Sequence, residues 1–160
     1  MSNVKFEALE ALGILGGGFM PIPDVERSRL NDADKVVIDR YNTENRWGLQ
    51  VCIDLHNCNS VTIRSQDDIH MFAEELVKFI DMKAYGRPQI VRFGEDDRVA
   101  GYTLVQLIET SCITAHFSED TDRAFIDVFS CKSFPPCETA KFCQSFFGAE
   151  KGTFKVLFRD

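Results

Sequence analysis

Ser111 and His116 stand five residues apart in SCITAHF, a segment rich in Thr, Ile and Phe. A hydroxyl within reach of an imidazole is the usual partnership of nucleophile and base. The segment reads as a strand, however, and strand side chains alternate faces. An odd separation sends the two to opposite faces unless a bulge intervenes. No Gly-x-Ser-x-Gly elbow is present, so a Ser–His triad gains no support. His70 falls among polar neighbours in a helical pattern and reads as a partly exposed helix residue. His56 lies in a polar turn. The six cysteines (Cys52, Cys58, Cys112, Cys131, Cys137 and Cys143) form no Cys-x-x-Cys pair, and no His-Glu-x-x-His occurs, so no metal site is expected. Cys131, Cys137 and Cys143 recur every six residues but fall on a strand end, a helix start and a helix middle. Most of these thiols read as small buried hydrophobes. Gly16-Gly17-Gly18 lacks the Gly-Lys-Ser/Thr ending of a phosphate loop.

The elements that must position such residues follow from periodicity. Val4–Leu15 has the spacing of a short amphipathic helix, stopped by the three glycines and by Pro21 and Pro23. The stretch to Arg46 is polar apart from Val36-Val37-Ile38, and residues 1–46 read as an extension, or an element covering a sheet edge. GLQVCIDL (48–55) reads as a strand. Ser65 with Asp68 resembles a capping box, and Ile69, Phe72, Leu76, Phe79 and Ile80 carry a helix to about Met82. Gly86-Arg87-Pro88 is expected to break the chain. Strands follow at 89–93, 102–108, 111–117 and 124–130. Pro135-Pro136 opens a helix over Cys137–Phe147, and 153–158 is a last strand. The order predicts an α+β fold: a two-layer sandwich of a mostly antiparallel sheet with two helices on one face. The domain is expected over 47–160.

Composition narrows the function classes. The 160 residues carry 18 basic and 25 acidic side chains, a net charge of −7, with no basic cluster. A nucleic-acid backbone binder needs such a cluster. No apolar run is long enough to span a membrane, and the N-terminal residues lack the pattern of a secretory signal. A cytoplasmic protein with reduced thiols is expected.

Residues 101–131 carry a specific resemblance. Thr110-Ser111-Cys112-Ile113-Thr114-Ala115-His116-Phe117-Ser118-Glu119, then Ala124-Phe125-Ile126-Asp127-Val128-Phe129-Ser130-Cys131, match two segments of the S-adenosylmethionine decarboxylase family in its short prokaryotic form. The spacings from serine to histidine and from serine to cysteine agree without gaps. Upstream, Ile53-Asp54-Leu55-His56-Asn57-Cys58-Asn59 resembles a third family segment. The likeness covers about 47–160.

The resemblance implies a cofactor made from the chain itself. Ser111 would attack the carbonyl before it, the chain would be cut between Thr110 and Ser111, and Ser111 would become a pyruvoyl group. His116 matches the residue that assists processing as a base, Thr103 stands where the family has a processing serine, and Cys131 matches the proton donor. A pyruvoyl carbonyl forms an imine with a substrate amine and accepts the electrons released on decarboxylation, with no metal. A thiol with an ordinary pKa of about 8.5 is mostly protonated near neutrality and suits proton return. Asp54, Phe93 and Phe117 are substrate-binding candidates; Trp47 too could offer an aromatic face to a sulfonium or adenine. The sequence departs from the family pattern at Thr110 (usually Glu), Cys112 (usually His) and His56-Asn57 (usually Tyr-Gly). The implied function is decarboxylation of S-adenosylmethionine for polyamine (spermidine) synthesis, by a dimer of processed two-chain protomers with sites near the subunit boundary. Alternatives are a pyruvoyl-dependent decarboxylase of arginine or ornithine, and an unprocessed regulatory homologue.

Overall fold

The computed structural model describes residues 30–160, so the expected helix at Val4–Leu15 and the glycine run lie outside the described residues. Six strands form one sheet: β1 Gly48–His56, β2 Ala84–Phe93, β3 Gly101–Ile108, β4 Ser111–Ser118, β5 Arg123–Ser130 and β6 Lys151–Arg159. Their order is β2-β3-β4-β5-β1-β6, and every pairing is antiparallel. Three helices accompany it: α1 Asp32–Thr43, α2 Gln66–Phe79 and α3 Pro136–Phe146.

Alternation decides which face is buried. Leu49, Val51, Ile53 and Leu55 on β1, Ile113, Ala115 and Phe117 on β4, and Ala124, Ile126 and Val128 on β5 all point to one side and are buried. Helices α2 and α3 cover that side. Phe72 of α2 meets the rings of Phe146 and Phe147 at 5.3 and 4.6 Å between centroids, and Phe117 reaches Phe147 at 5.0 Å. The expected capping of α2 is present, with Ser65 Oγ accepting the Asp68 N–H at 3.2 Å. The architecture is the α+β sandwich expected from the sequence, with a third helix added.

One sequence expectation needs correction. It concerns β2, which begins at Ala84 and runs through Gly86-Arg87-Pro88 as a register shift between Tyr85 and Gln89. β2 is an edge strand, where proline's missing N–H breaks no ladder bond if it faces outward, and Gly86 takes up a φ of +67°. The break is therefore a bulge. Gly101, at the start of β3, passes so close to Phe117 that a Cβ would overlap its carbonyl, so only glycine fits.

Residues 31–46 of the expected extension hold α1, which packs against α3 and buries Val37, Ile38 and Tyr41. Asn31 caps α1 by accepting the Asp34 N–H at 2.8 Å, and Asp32 and Asp34 lie in its first turn. Asp34, fully buried, then caps the neighbouring helix. The N-cap position of α3 is Pro135, whose side chain offers no acceptor, and Asp34 Oδ1 and Oδ2 take the Cys137 and Glu138 N–H groups at 2.7 and 3.0 Å. Burial pushes the Asp34 carboxyl above its usual range, opposed by these two backbone donors. Asp34→Ala orphans both donors and should cost about 2 kcal/mol. Urea unfolding checks this, and an unchanged midpoint removes the capping role.

At the opposite end Arg92 on β2 grips Glu119 after β4 with two bonds, Nε to Oε1 at 2.8 Å and Nη2 to Oε2 at 2.6 Å. These bonds hold Glu119 below its ordinary value of 4.5. A lowered folded pKa means stabilisation that is present above the unfolded value and is lost as pH falls through the folded one. Glu119→Gln should therefore destabilise by less than about 1 kcal/mol at pH 7, because Arg92 is half exposed. The difference from the unaltered protein should vanish in acid unfolding below the lowered pKa. A deficit independent of pH contradicts the ion-pair account.

Candidate active site

Ser111 opens β4 at the exit of a hairpin. Ile108 pairs with Ser111, leaving Glu109 and Thr110 as a two-residue turn, and the Thr110–Ser111 peptide leaves that turn. The segment after α2 steadies it. Lys83 O accepts the Glu109 N–H at 2.9 Å, and the Thr110 hydroxyl points to Met82 Sδ at 3.1 Å. Ser111 has a φ of +153°, a conformation that costs a residue with a Cβ on the order of 1–3 kcal/mol.

The turn meets the end of β5. Ser111 pairs with Ser130, and the next residue, Cys131, donates its N–H to the Thr110 carbonyl oxygen at 2.9 Å. A backbone donor fixed on that oxygen polarises the carbonyl and can hold negative charge when its carbon is attacked. The side chain of Cys131 is exposed, whereas Cys58, Cys137 and Cys143 are buried. Burial pushes Cys58 up to about 11 and Cys137 up to about 12, the latter reinforced by Asp34, and raises Cys143 as well. Cys52 rises to about 11 through burial and then the nearby Asp127. Of the six free thiols, Cys131 is thus the exposed one, and it stands beside the turn.

Thr103 and His116 also meet. They pair across β3 and β4, and Thr103 Oγ1 lies 3.1 Å from His116 Nδ1. Their shared face is the one away from α2 and α3. Along the same row of the sheet, His116 pairs with Phe125, and Phe125 with Asp54. Phe93, 58% exposed, ends β2 on this face, two residues beyond Val91, the partner of Thr103. Asp54 and Phe93 are therefore open to solvent near the Thr103–His116 pair. Phe117 is not: at 2% exposure it is a core residue against Phe147, and its expected substrate-facing role fails on burial.

The alternation expected for Ser111 and His116 holds. Five residues of strand separate their backbones by roughly 17 Å, with His116 on the helix-free face. Within one chain the site divides into two groups. Ser111, Thr110 and Cys131 stand at one end of the strands, and Thr103, His116, Asp54 and Phe93 lie toward the other. Two residues at the first group were not singled out from sequence. Phe129 meets exposed Trp47 at 5.9 Å between centroids with the rings tilted by 36°, and Tyr41 donates its hydroxyl to the Cys131 carbonyl at 2.9 Å. Strand alternation two residues before Cys131 could have marked Phe129. Nothing local marks Tyr41, whose partner is 90 residues away.

Among the described residues, no group of three or more His, Cys, Asp or Glu side chains is placed to hold a metal ion, and no helix is long and apolar enough to cross a membrane.

A six-stranded antiparallel sheet with helices on one side, and a serine at a hairpin turn beside a strand-end cysteine, define an α+β sandwich with a candidate site at one end of its strands. The crystal structure of the adenosylmethionine decarboxylase from Aquifex aeolicus superposes with a TM-score of 0.61 at 22% identity, covering 71% of this chain and 91% of that one. At that identity the match speaks for the fold. The family model for S-adenosylmethionine decarboxylase matches residues 49–160, and the chain belongs to that family of carboxy-lyases. Among curated proteins, none matches this sequence significantly.

Proposed function

We propose that this protein is a self-processing, pyruvoyl-dependent decarboxylase of S-adenosylmethionine, serving polyamine (spermidine) synthesis in the cytoplasm. The observation that carries this reading is the Cys131 N–H held on the Thr110 carbonyl beside Ser111. Attack by the Ser111 hydroxyl on the Thr110 carbonyl carbon forms a C–O bond and breaks the peptide C–N bond, giving an ester and a free amine. Charge that builds on the Thr110 oxygen meets a donor already in place. Loss of the ester as a carboxylate, addition of water and release of ammonia then leave the pyruvoyl group at residue 111. The strained φ of Ser111 is relieved once the peptide is broken.

The surrounding residues suit that group. When formed, it supplies a carbonyl that takes up the electrons released as carbon dioxide departs. Cys131, exposed beside it, can hand a proton to the substrate carbon. The Trp47–Phe129 pair presents aromatic surface near the same turn, suited to adenine or a sulfonium. Release of carbon dioxide from carboxyl-labelled S-adenosylmethionine by the purified protein tests the reading. Release from arginine or ornithine instead selects a different substrate, and an uncut chain inactive on all three selects the regulatory homologue.

The processing base is accounted for by a second copy. His116 and Thr103 lie too far from their own Ser111 to act on it, so we place them against Ser111 of a partner in a dimer. Mixing two defective chains tests this. His116→Ala keeps Ser111 and Ser111→Ala keeps His116, so coexpression should restore cleavage of the His116→Ala chain. No restoration sinks the shared site.

A further inference from the structure

We infer that Tyr41, on the N-terminal helix that precedes the family-matched region, is a positioning residue for Cys131 and so for self-cleavage. The inference rests on the proposed processing at Ser111. It begins from the backbone of Cys131, which is held on both sides. Its N–H goes to the Thr110 carbonyl at 2.9 Å, and its own carbonyl accepts the Tyr41 hydroxyl at 2.9 Å. The first bond places a donor on the carbonyl to be attacked. The second fixes the peptide on the other side of the same Cα, so the direction of the N–H depends on both.

Tyr41 holds this point where the sheet ladder no longer does. Cys131 follows the last residue of β5, beyond the ladder, and its side chain is exposed. The Cys131–Lys132 peptide is also held at its other edge, where Lys132 donates its N–H to Ser130 Oγ at 2.9 Å, and the Lys132 ammonium reaches Asp81 at 2.6 Å; the Tyr41 hydroxyl supplies the bond at the carbonyl edge. Tyr41 itself is rigidly seated. Its side chain is 5% exposed, and α1 is fastened to α3 by the Asp34 cap. The phenol also senses the thiol directly: burial first, and then the charge of Cys131, push its pKa above the usual value. The matched family region begins at residue 49, eight residues beyond Tyr41, so this restraint comes from the chain's own extension.

Tyr41→Phe removes the hydroxyl and keeps the buried ring, and two measurements decide the matter. In the uncut Ser111→Ala background, hydrogen exchange by NMR should show the Cys131 amide exchanging on the order of tenfold faster with Phe at 41, while the amides of Ile126 and Val128 are unchanged. An unchanged Cys131 amide, or equal acceleration along the whole of β5, overturns the inference. In chains that retain Ser111, Tyr41→Phe should lengthen the half-time of cleavage on the order of tenfold. Equal half-times overturn it as well. If the unaltered chain is never cut, the proposed processing fails, and the exchange measurement alone still decides whether Tyr41 places Cys131.

Discussion

Ser111→Ala is expected to give one 18.2 kDa chain under denaturing conditions, where the unaltered protein gives two, residues 1–110 and 111–160. Alanine has no hydroxyl to attack the Thr110 carbonyl, so the effect is loss of cleavage rather than slowing. The larger piece should end in a free carboxylate at Thr110, and the smaller should resist N-terminal sequencing. The fold makes a second forecast about the same cut. Cleavage assigns β1, β2 and β3 to one piece and β4, β5 and β6 to the other, yet the sheet order is β2-β3-β4-β5-β1-β6. Strand β1 of the first piece lies between β5 and β6 of the second, and β3 still pairs with β4. The pieces are interleaved through three strand pairings and one core. Native mass should therefore be unchanged by processing, and the pieces should part only on unfolding. An unaltered chain that stays whole, or a cut elsewhere, contradicts the assignment.

The legible and illegible parts of this chain differ in range. Strands with strict alternation, such as ITAHF and AFIDVF, announce both their geometry and their buried face, because each residue's environment is set by its neighbours two positions away. Helix α2 is equally plain from Ser65 and the apolar repeat behind it. Motif spacing marked Ser111, His116 and Cys131 as candidates, and strand alternation already set Ser111 and His116 apart; which residues join each of them across the sheet was not legible. Helix α1 was missed because its apolar face is only Val37, Ile38 and Tyr41, and its stability comes from α3, a hundred residues on. Its local signal was Asn31 with Asp32 and Asp34 in the first turn. Phe117 was misassigned for the converse reason. An aromatic ring beside a candidate histidine looks available in sequence, but strand parity turns it into the core.

Cys131→Ala should separate two roles that meet at one residue. The contact to the Thr110 carbonyl comes from the backbone N–H, which alanine retains, so cleavage should proceed to both pieces at close to the normal rate. Turnover should not survive as well. Losing a positioned proton donor typically costs 10²–10⁴-fold, and no other thiol is exposed at that position. Cys58, in the loop after β1, and Cys137 and Cys143, on α3, are buried, and their pKa values are pushed up by that burial. Cys112 and Cys52 are half-buried on the two strands that flank β5, opposite Phe129 and Asp127 respectively, and neither occupies the exposed strand-end position of Cys131. Water can reach the exposed site, so some residual turnover is expected, with the proton delivered less selectively. The measurement is the rate of carbon dioxide release per cut chain, which cancels any difference in processing. A Cys131→Ala enzyme that is cut normally and turns over undiminished removes the proton-donor role while leaving the backbone role intact. One that fails to cut would place the thiol itself in the processing step.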